Sequence, residues 1–121
     1  MGFPASDDDF LLLHNTRCSK CRASKALLEE RGIAFNERFY LDEPLRKEEI
    51  QDLATRLGRP VTEWVRRKED AFAAAGLTSD SDDDAILDAM VAHPILVERP
   101  ILVRGQRAVI GRPPEDLLVL L

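Results

Sequence analysis

The chain has 121 residues, 45% of them hydrophobic, which is enough for one domain with its own core. Acidic residues outnumber basic ones by 22 to 17, giving a net charge of −5 at pH 7 and arguing against nucleic-acid binding through a basic surface. No apolar run approaches the ~20 residues of a membrane-spanning helix, so we expect no membrane association.

The start of the chain predicts a lead-in rather than a targeting signal. Residues 1–9 contain three consecutive aspartates and lack the basic start and apolar middle of a signal peptide. We therefore expect a flexible segment over 1–9, followed by a single domain over 10–121. Two cysteines are too few for a disulfide scaffold, which favours the cytoplasm, where thiols stay reduced.

The first elements predict a βαβ unit. Phe10–Leu13 is a short apolar run typical of a buried strand. Residues 19–31 have the periodicity of an amphipathic helix that is closed by Gly32, with Ala23, Ala26, Leu27 and Leu28 on its apolar face. Residues 33–41 are β-rich, so we expect a second strand parallel to the first.

The middle of the chain predicts a helical insertion over about residues 46–92. Its segments have either helical periodicity or residues typical of a helix start or end, and Gly58 and Gly76 each end one helix. The predicted helices cover Leu45–Leu57, Val61–Arg67, Glu69–Ala75 and about Asp82–Ala92, the last with Ser81 as its N-cap.

The end of the chain predicts a hairpin and a last helix. Ile101–Val103 and Ala108–Ile110 are apolar runs joined by a turn containing Gly105, and a helix is expected to begin after Pro113. The whole order is that of an α/β thioredoxin-like fold, βαβ plus ββα, with a helical insertion. In that fold the Arg99–Pro100 step lies near the end of the first strand, and Pro100 is a candidate for a cis bond.

Cys18 is the residue that carries chemistry most directly. It stands between the first strand and the first helix, where free backbone N–H groups and the helix dipole favour thiolate over thiol. Helix N-termini and cationic neighbours lower a cysteine pKa from ~8.5 to ~3.5–7.5, and Arg17, Lys20 and Arg22 add positive charge here. Cys21 completes a Cys-x-x-Cys, the spacing of a redox pair beside a strand–helix unit.

Nearby polar residues leave several roles open. His14 would stabilise the Cys18 thiolate as a cation, hold the loop by hydrogen bonds, or be purely structural. Asn15 would donate its amide to the loop or to a bound oxyanion. A zinc site of both cysteines with His14 and His93 lacks the second half of a usual zinc spacing, so we expect no metal.

Three sequence blocks together resemble the glutaredoxin-coupled arsenate reductases. They are His14-Asn15-x-x-Cys18-Ser19-Lys20-x-Arg22, His93-Pro94-Ile95-Leu96-Val97-Glu98-Arg99-Pro100-Ile101 and Gly111-Arg112-Pro113-Pro114-Glu115. The similarity extends from about Phe10 to Leu121. Two positions depart from the family, which usually has Pro where Thr16 stands and commonly Ser where Cys21 stands.

The resemblance implies an enzyme without a bound cofactor. Cys18 would attack arsenate, and Arg66, Arg99 and Arg112 would hold the oxyanion. A second thiol would reduce arsenic, drawn from glutathione and glutaredoxin in that family, or from Cys21 with a thioredoxin or glutaredoxin reducing the resulting disulfide. Arginine suits a tetrahedral oxyanion because it stays charged and can grip two oxygens at once.

A second class of function stays open at this stage. Thioredoxin-like proteins with Cys-x-x-Cys at this position include redox-sensing regulators, and a general thiol–disulfide oxidoreductase would need the same two thiols. The arginine set with His14 and Asn15 favours the oxyanion enzyme, since a sensor does not need it.

Overall fold

The computed structural model describes residues 3, 4, 6–15 and 17–121. Met1, Gly2 and Ala5 of the predicted lead-in lie outside the described residues, as does Thr16, where the family usually has proline. The chain forms two compact units. One contains the residues up to Glu43 together with Arg99–Leu121, and the other is Pro44–Glu98, which encloses the insertion predicted at about 46–92.

The first unit is built on a four-stranded mixed sheet. Its strands are β1 (Phe10–His14), β2 (Asn36–Phe39), β3 (Ile101–Arg104) and β4 (Arg107–Ile110), in the order β2-β1-β3-β4. β1 is parallel to β2 and antiparallel to β3, and β3 and β4 form the expected hairpin. The strand predicted over 33–41 is shorter than expected, because only Asn36–Phe39 pairs with β1.

Helix α1 (Ser19–Glu30) follows β1 and ends as predicted, with Gly32 at φ 69°. Its buried residues are Cys21, Ser24 and Leu28, whereas Ala23 and Ala26 are exposed. The predicted apolar face was therefore wrong by part of a turn. The helix turns Cys21, Ser24 and Leu28 inward, so Cys21 lies in the interior although Ser19 and Lys20 just before it are exposed.

Alternate residues of β1 and β3 are buried on both faces of the sheet, and one core cluster lies on the face of Phe10 and Leu12. Apolar residues of β1, α1, β3 and the C-terminal segment pack together there, namely Phe10, Leu12, Leu28, Leu102, Leu117 and Leu120. The predicted last helix is a 3₁₀ helix over Pro114–Leu120, and it contacts both α1 and β4.

The second unit is helical. It contains α2 (Lys47–Leu57), α3 (Asp70–Ala74), α4 (Asp83–Ala92) and two 3₁₀ turns, Val61–Glu63 and Pro94–Leu96. No helix among the described residues has the length and apolarity needed to cross a membrane.

Two details of this unit correct the predictions. The helix expected over Val61–Arg67 ends at Glu63, and Val65 instead forms a β-bridge with Val97. The N-cap of α4 is Asp82 rather than Ser81, since the Asp82 carboxylate accepts a hydrogen bond from the backbone of Ala85 at 2.9 Å. The Ser81 hydroxyl instead accepts from the backbone of Thr78.

Candidate active site

Cys18 occupies the N-cap of α1, as the sequence predicts. Its backbone is extended, with φ −92° and ψ 123°, and its carbonyl accepts the first helical hydrogen bond from Arg22 at 3.1 Å. Its own N–H donates to the Asn15 carbonyl at 3.0 Å, which closes the loop between β1 and α1. The side chain is half-buried, so a small molecule can reach the sulfur.

The surroundings of Cys18 favour its thiolate. Burial by itself would raise the pKa of Cys18, but other groups outweigh it and lower that pKa. These groups are the backbone N–H groups of Cys21 and Lys20, the Cys21 thiol and the charge of Arg99. This is the physical effect expected where free N–H groups at a helix start face a sulfur.

Arg112 points its guanidinium at the same sulfur. Its Nη2 lies 3.6 Å from Cys18 Sγ, and its Nε donates to the Arg99 carbonyl at 2.6 Å. Gly111, just before it, donates to the Pro100 carbonyl at 2.8 Å. A Cβ on Gly111 would lie 3.0 Å from side-chain atoms of Pro100 and Leu117, so a larger residue here would have to push these side chains aside.

Arg99 joins Arg112 at this site. It interacts with both Cys18 and Tyr40, and their attraction raises the pKa of Arg99 although burial opposes its charge. The peptide bonds Arg99–Pro100 and Arg112–Pro113 are both cis. The structure therefore brings two of the three predicted arginines to Cys18.

Tyr40 is a site residue that sequence reasoning missed. Its side chain is fully buried directly after β2, and it interacts with Arg99. In the sequence it lies in an apolar run, Phe39-Tyr40-Leu41, and it resembles an ordinary core residue. Its proximity to Arg99 depends on β2 lying beside β1, a contact that no local sequence signal predicts.

Cys21 is the chemical opposite of Cys18. It is completely buried on the inner face of α1, and its Sγ accepts a hydrogen bond from the Asn15 backbone N–H at 3.4 Å. Burial and its interactions with Cys18 raise the pKa of Cys21 to about 12. Both thiols are free, and the pKa values of these two interacting groups move in opposite directions, with that of Cys18 lowered and that of Cys21 raised.

Asn15 organises the loop through three hydrogen bonds. Its carbonyl accepts from Cys18, its backbone N–H donates to the Cys21 sulfur, and its Oδ1 accepts from the backbone of Arg17 at 3.0 Å. Of the two roles predicted for this side chain, the observed contact belongs to the loop.

The surroundings of His14 do not favour its cationic form. It is 2% exposed, its Nε2 lies 3.2 Å from Glu37, and its ring packs on Phe39 at 4.8 Å. Burial lowers the pKa of His14 even though Glu37 raises it, so the ring is neutral at pH 7. The structure thus favours the structural alternative for His14, and its predicted substrate contact receives no support.

Arg66 lies in the helical unit. Its guanidinium pairs with Glu98 at 2.8 Å and with Glu69 at 3.1 Å, and its backbone N–H donates to Leu96. It was expected on a helix face, but this segment is extended beside Val97 because a β-bridge replaces the helix. Its predicted oxyanion contact stays a prediction.

In the part of the chain that the structure describes, no three His, Cys, Asp or Glu side chains cluster as metal ligands do. The Cys18 sulfur meets a second thiol and two guanidiniums. Such a set can hold a small oxyanion and attack it with sulfur.

Residues 13–120 match the ArsC family. This chain belongs to that family. An arsenate reductase of Neisseria meningitidis serogroup A is 42% identical over 112 residues, which cover 91% of this chain and 96% of that protein. An arsenate reductase of Haemophilus influenzae is 36% identical over 113 residues, covering 92% and 97% of the two chains.

Solved structures of the ArsC family agree with this. An arsenate reductase from Vibrio cholerae superposes with a TM-score of 0.89 at 41% identity, covering 93% of this chain and 98% of that one. An ArsC-related protein from Bacteroides fragilis, 23% identical, shares the fold with a TM-score of 0.81. The α/β thioredoxin-like fold predicted from the element order is thus confirmed, as is the family resemblance.

Proposed function

We propose that this chain is a thiol-dependent arsenate reductase in which Cys18 is the nucleophile. The observation that carries the proposal is the meeting of Arg99 and Arg112 at the Cys18 sulfur, with Arg112 Nη2 3.6 Å away. Arsenate is a tetrahedral anion, and a thiolate that attacks it needs positive charge around the substrate. The names of the ArsC relatives support the same substrate.

The first step forms a bond between sulfur and arsenic. The Cys18 thiolate attacks arsenate, an As–O bond breaks, and the departing oxygen leaves as water after taking up protons. Arsenic stays in its +5 state in the Cys18–arsenate adduct. Arg99 and Arg112 bind the remaining oxygens, and donors of this kind typically contribute about 2.7–4 kcal/mol each to transition-state stability.

The second step transfers two electrons to arsenic. Cys21 loses its proton and attacks Cys18 Sγ, so an S–S bond forms and the S–As bond breaks with its electron pair on arsenic. Arsenite leaves, and a Cys18–Cys21 disulfide is the oxidised product. The direct contact between the two thiols supports this assignment of the resolving role to Cys21, in place of an external monothiol such as glutathione.

The adduct itself activates Cys21 for this step. In the resting protein burial raises the pKa of Cys21 most, and the Cys18 sulfur raises it further by accepting its hydrogen bond and repelling a second negative charge. Once Cys18 is bonded to arsenic, both effects disappear, while the Asn15 N–H and Arg99 still favour a Cys21 thiolate. Reaction of Cys18 therefore makes the Cys21 thiolate easier to form, while burial continues to raise its pKa.

Arg66 is the third arginine that we assign to the oxyanion. In this structure Glu69 and Glu98 neutralise it, so binding substrate would require exchange of carboxylate for arsenate oxygens. We expect Arg66→Ala to reduce kcat/KM for arsenate, and an unchanged value would remove Arg66 from the site.

The cycle needs no bound cofactor, but it does need an external reductant. A thioredoxin or glutaredoxin would reduce the Cys18–Cys21 disulfide, with glutathione as the source of electrons in the glutaredoxin case. A compartment that keeps thiols reduced, the cytoplasm, suits this cycle, and arsenic resistance is the physiological role that it would serve.

Arsenate-dependent oxidation of a coupled thioredoxin or glutaredoxin system tests the proposal. Wild type should consume reductant only when arsenate is present, and Cys18→Ser should lose this turnover while keeping its circular dichroism spectrum. Near-normal turnover by Cys18→Ser would show that another group is the nucleophile.

Cys21→Ser tests the resolving role separately. We expect turnover to depend strictly on added monothiol in this variant, and the oxidised wild type to lose two hydrogens in mass analysis. Normal turnover by Cys21→Ser with thioredoxin alone would contradict a resolving role, while leaving the Cys18 step intact.

The buried Cys21 beside the Cys18 thiolate also suits a general thiol–disulfide oxidoreductase or a redox-sensing regulator. Either would close and open the Cys18–Cys21 disulfide without arsenate. Reduction of an unrelated protein disulfide at a rate exceeding arsenate turnover would favour this second function.

A further inference from the structure

Two exposed cationic residues flank Cys18 along the chain. Arg17 precedes Cys18 by one residue and Lys20 follows it by two, on the first turn of α1, and both side chains are exposed. Neither forms an ion pair with any residue that the structure describes, in a chain whose net charge is −5. We call Arg17 and Lys20 the cationic rim.

A reductant has only one sulfur to attack. Cys21 is completely buried, whereas Cys18 is half-buried, so an incoming thiol must approach a Cys18–Cys21 disulfide from the side of Cys18. A donor protein that reaches the Cys18 sulfur also comes close to the cationic rim, because its two residues lie one and two positions from Cys18 and backbone hydrogen bonds hold them there. The Arg17 N–H is held by Asn15 Oδ1, and the Lys20 N–H faces Cys18.

We propose that the cationic rim is the docking surface for the electron donor, and that this donor is a dithiol protein with acidic residues around its thiols. The proposal rests on the proposed function, because it concerns the disulfide formed in that cycle. Complementary charge accelerates diffusional encounter, and exposed unpaired cations beside a reacting atom supply it. The rim also favours the anionic form of the incoming thiol, which is the nucleophile.

The electron balance defines the partner as a dithiol. One donor thiolate attacks Cys18 Sγ, a mixed disulfide forms, and Cys21 leaves as a thiolate that takes up a proton. The second thiol of the donor then attacks the donor sulfur of the mixed disulfide, and Cys18 leaves as a thiolate. The donor is oxidised to a disulfide, and both cysteines of this chain are reduced.

Two synthetic dithiol peptides provide a direct test. They share one Cys-x-x-Cys core, which is flanked by glutamates in the first peptide and by lysines in the second. The readout is the ratio of their rate constants for reducing the oxidised protein, measured at low and at high salt. Using a ratio cancels differences in how easily each protein variant is reduced.

The expected results are specific to the rim. The glutamate peptide should be faster on wild type by about tenfold or more at low ionic strength, and salt should shrink this preference. The charge-reversed variant R17E/K20E should lose or invert the preference, and the neutral variant R17Q/K20Q should have an intermediate ratio.

A matched control separates the rim from net charge. R31E/R107E makes the same change in charge at two exposed arginines. Arg31 lies at the C-terminal end of α1, and Arg107 pairs with Arg104, at the Phe10 end of β1 and away from Cys18. This control should keep the preference for the glutamate peptide. An unchanged preference in R17E/K20E, or an equal loss in R31E/R107E, would overturn the proposal.

The test does not depend on the arsenate step. The disulfide is produced with a chemical oxidant, and dithiothreitol verifies that every variant remains reducible. In a Cys21→Ser background the same peptides act on a Cys18–glutathione mixed disulfide, and the rim should produce the same preference there. If arsenate fails to generate the disulfide while the peptide preference persists, the resolving step is wrong and the docking surface stands.

Discussion

Cys18 and Cys21 differ in chemistry because they face different surroundings. The first lies at the open start of α1 among N–H groups and guanidiniums, and the second lies one turn later in the interior. The pKa of Cys18 is lowered and that of Cys21 is raised to about 12. An accessible thiol of lowered pKa and a buried thiol of raised pKa therefore come from one residue type on one helical turn.

The lowered pKa of Cys18 predicts its alkylation profile. Only thiolate reacts with iodoacetamide, so the rate should rise with pH and reach its midpoint below the ~8.5 of an ordinary cysteine. Arg112→Gln should shift this midpoint upward, since it removes a positive charge 3.6 Å from the sulfur. Mass spectrometry should find the label at Cys18 and not at the buried Cys21, and a midpoint at or above ~8.5 would contradict the assignment.

The arginines are expected to act on the transition state. Arg99→Ala and Arg112→Ala should each lower kcat/KM for arsenate by about 10²–10³, the effect of losing one oxyanion donor. Lysine should restore only part of the loss, because it cannot bind two oxygens in a fixed plane. Arg107→Ala on the exposed end of the hairpin is the control. A loss below threefold at Arg112 would remove it from the site.

Buried His14 predicts an acid-sensitive contribution to stability. Its pKa is lowered mainly by burial, so the unfolded chain binds a proton more readily than the folded one. Stability from this group is thus complete above the unfolded pKa of ~6.5 and decreases as pH falls below it. We expect the difference in unfolding free energy between wild type and His14→Gln to fall from pH 7.5 to 5, in urea titrations. A constant difference would mean that His14 does not titrate on unfolding.

At the level of elements, the free backbone N–H groups at the helix starts have different partners in α1 and α4. The start of α1 has no side-chain cap, and its free N–H groups face the Cys18 sulfur instead. The start of α4 is capped by the Asp82 carboxylate at 2.9 Å from the Ala85 nitrogen. The same orphan donors therefore serve stability in one helix and reactivity in the other.

Asp82 gives a test at this level. Asp82→Ala should lower the free energy of unfolding by about 1 kcal/mol, as lost N-caps do, whereas Asp82→Asn should retain most of the stability. Ser81→Ala serves as the neighbouring comparison, since its hydroxyl accepts from Thr78 outside the helix. If Ser81→Ala cost more than Asp82→Ala in thermal and urea unfolding, the cap would be misassigned.

Across the first unit, Arg104 ties both ends of the chain to the sheet. Its Nε donates to the Asp7 carbonyl at 2.6 Å, its Nη1 donates to the Leu120 carbonyl, and its guanidinium lies 4.9 Å from the Phe10 ring centre. A single cation at the end of β3 thus joins the N-terminal segment to the last 3₁₀ helix. All of these contacts lie far along β1 from Cys18.

Arg104→Met should therefore affect stability more than catalysis. Losing hydrogen bonds made by a charged donor costs about 1.5–3 kcal/mol, so the urea midpoint should fall while kcat for arsenate stays within twofold. Arg107→Met, on the paired strand, should leave both nearly unchanged. A fall in kcat for Arg104→Met without a loss of stability would contradict a purely structural role.

The sequence by itself determined the order of elements and pointed to Cys18 as the reactive residue that we propose. Hydrophobic runs of about five residues, glycines after helices and turn residues are local signals, so β1, α1 and the hairpin could be predicted from them. Cys18 could be found for the same reason, because its chemistry depends on the helix start that immediately follows it. The fold followed from the order of these local features, whereas the family came from the resemblance of three sequence blocks around His14, Pro94 and Arg112.

Only the tertiary structure decided what depends on neighbours distant in sequence. Tyr40 meets Arg99, and Arg112 meets Cys18, because β2 and the hairpin flank β1 on opposite sides. His14 became a neutral core residue because β2 places Glu37 and Phe39 beside it. The segment around Arg66 lost its predicted helix because Val65 pairs with Val97, a contact between residues far apart in the chain. Local sequence carries local propensity, whereas burial and charge at a site are summed over the whole packed neighbourhood.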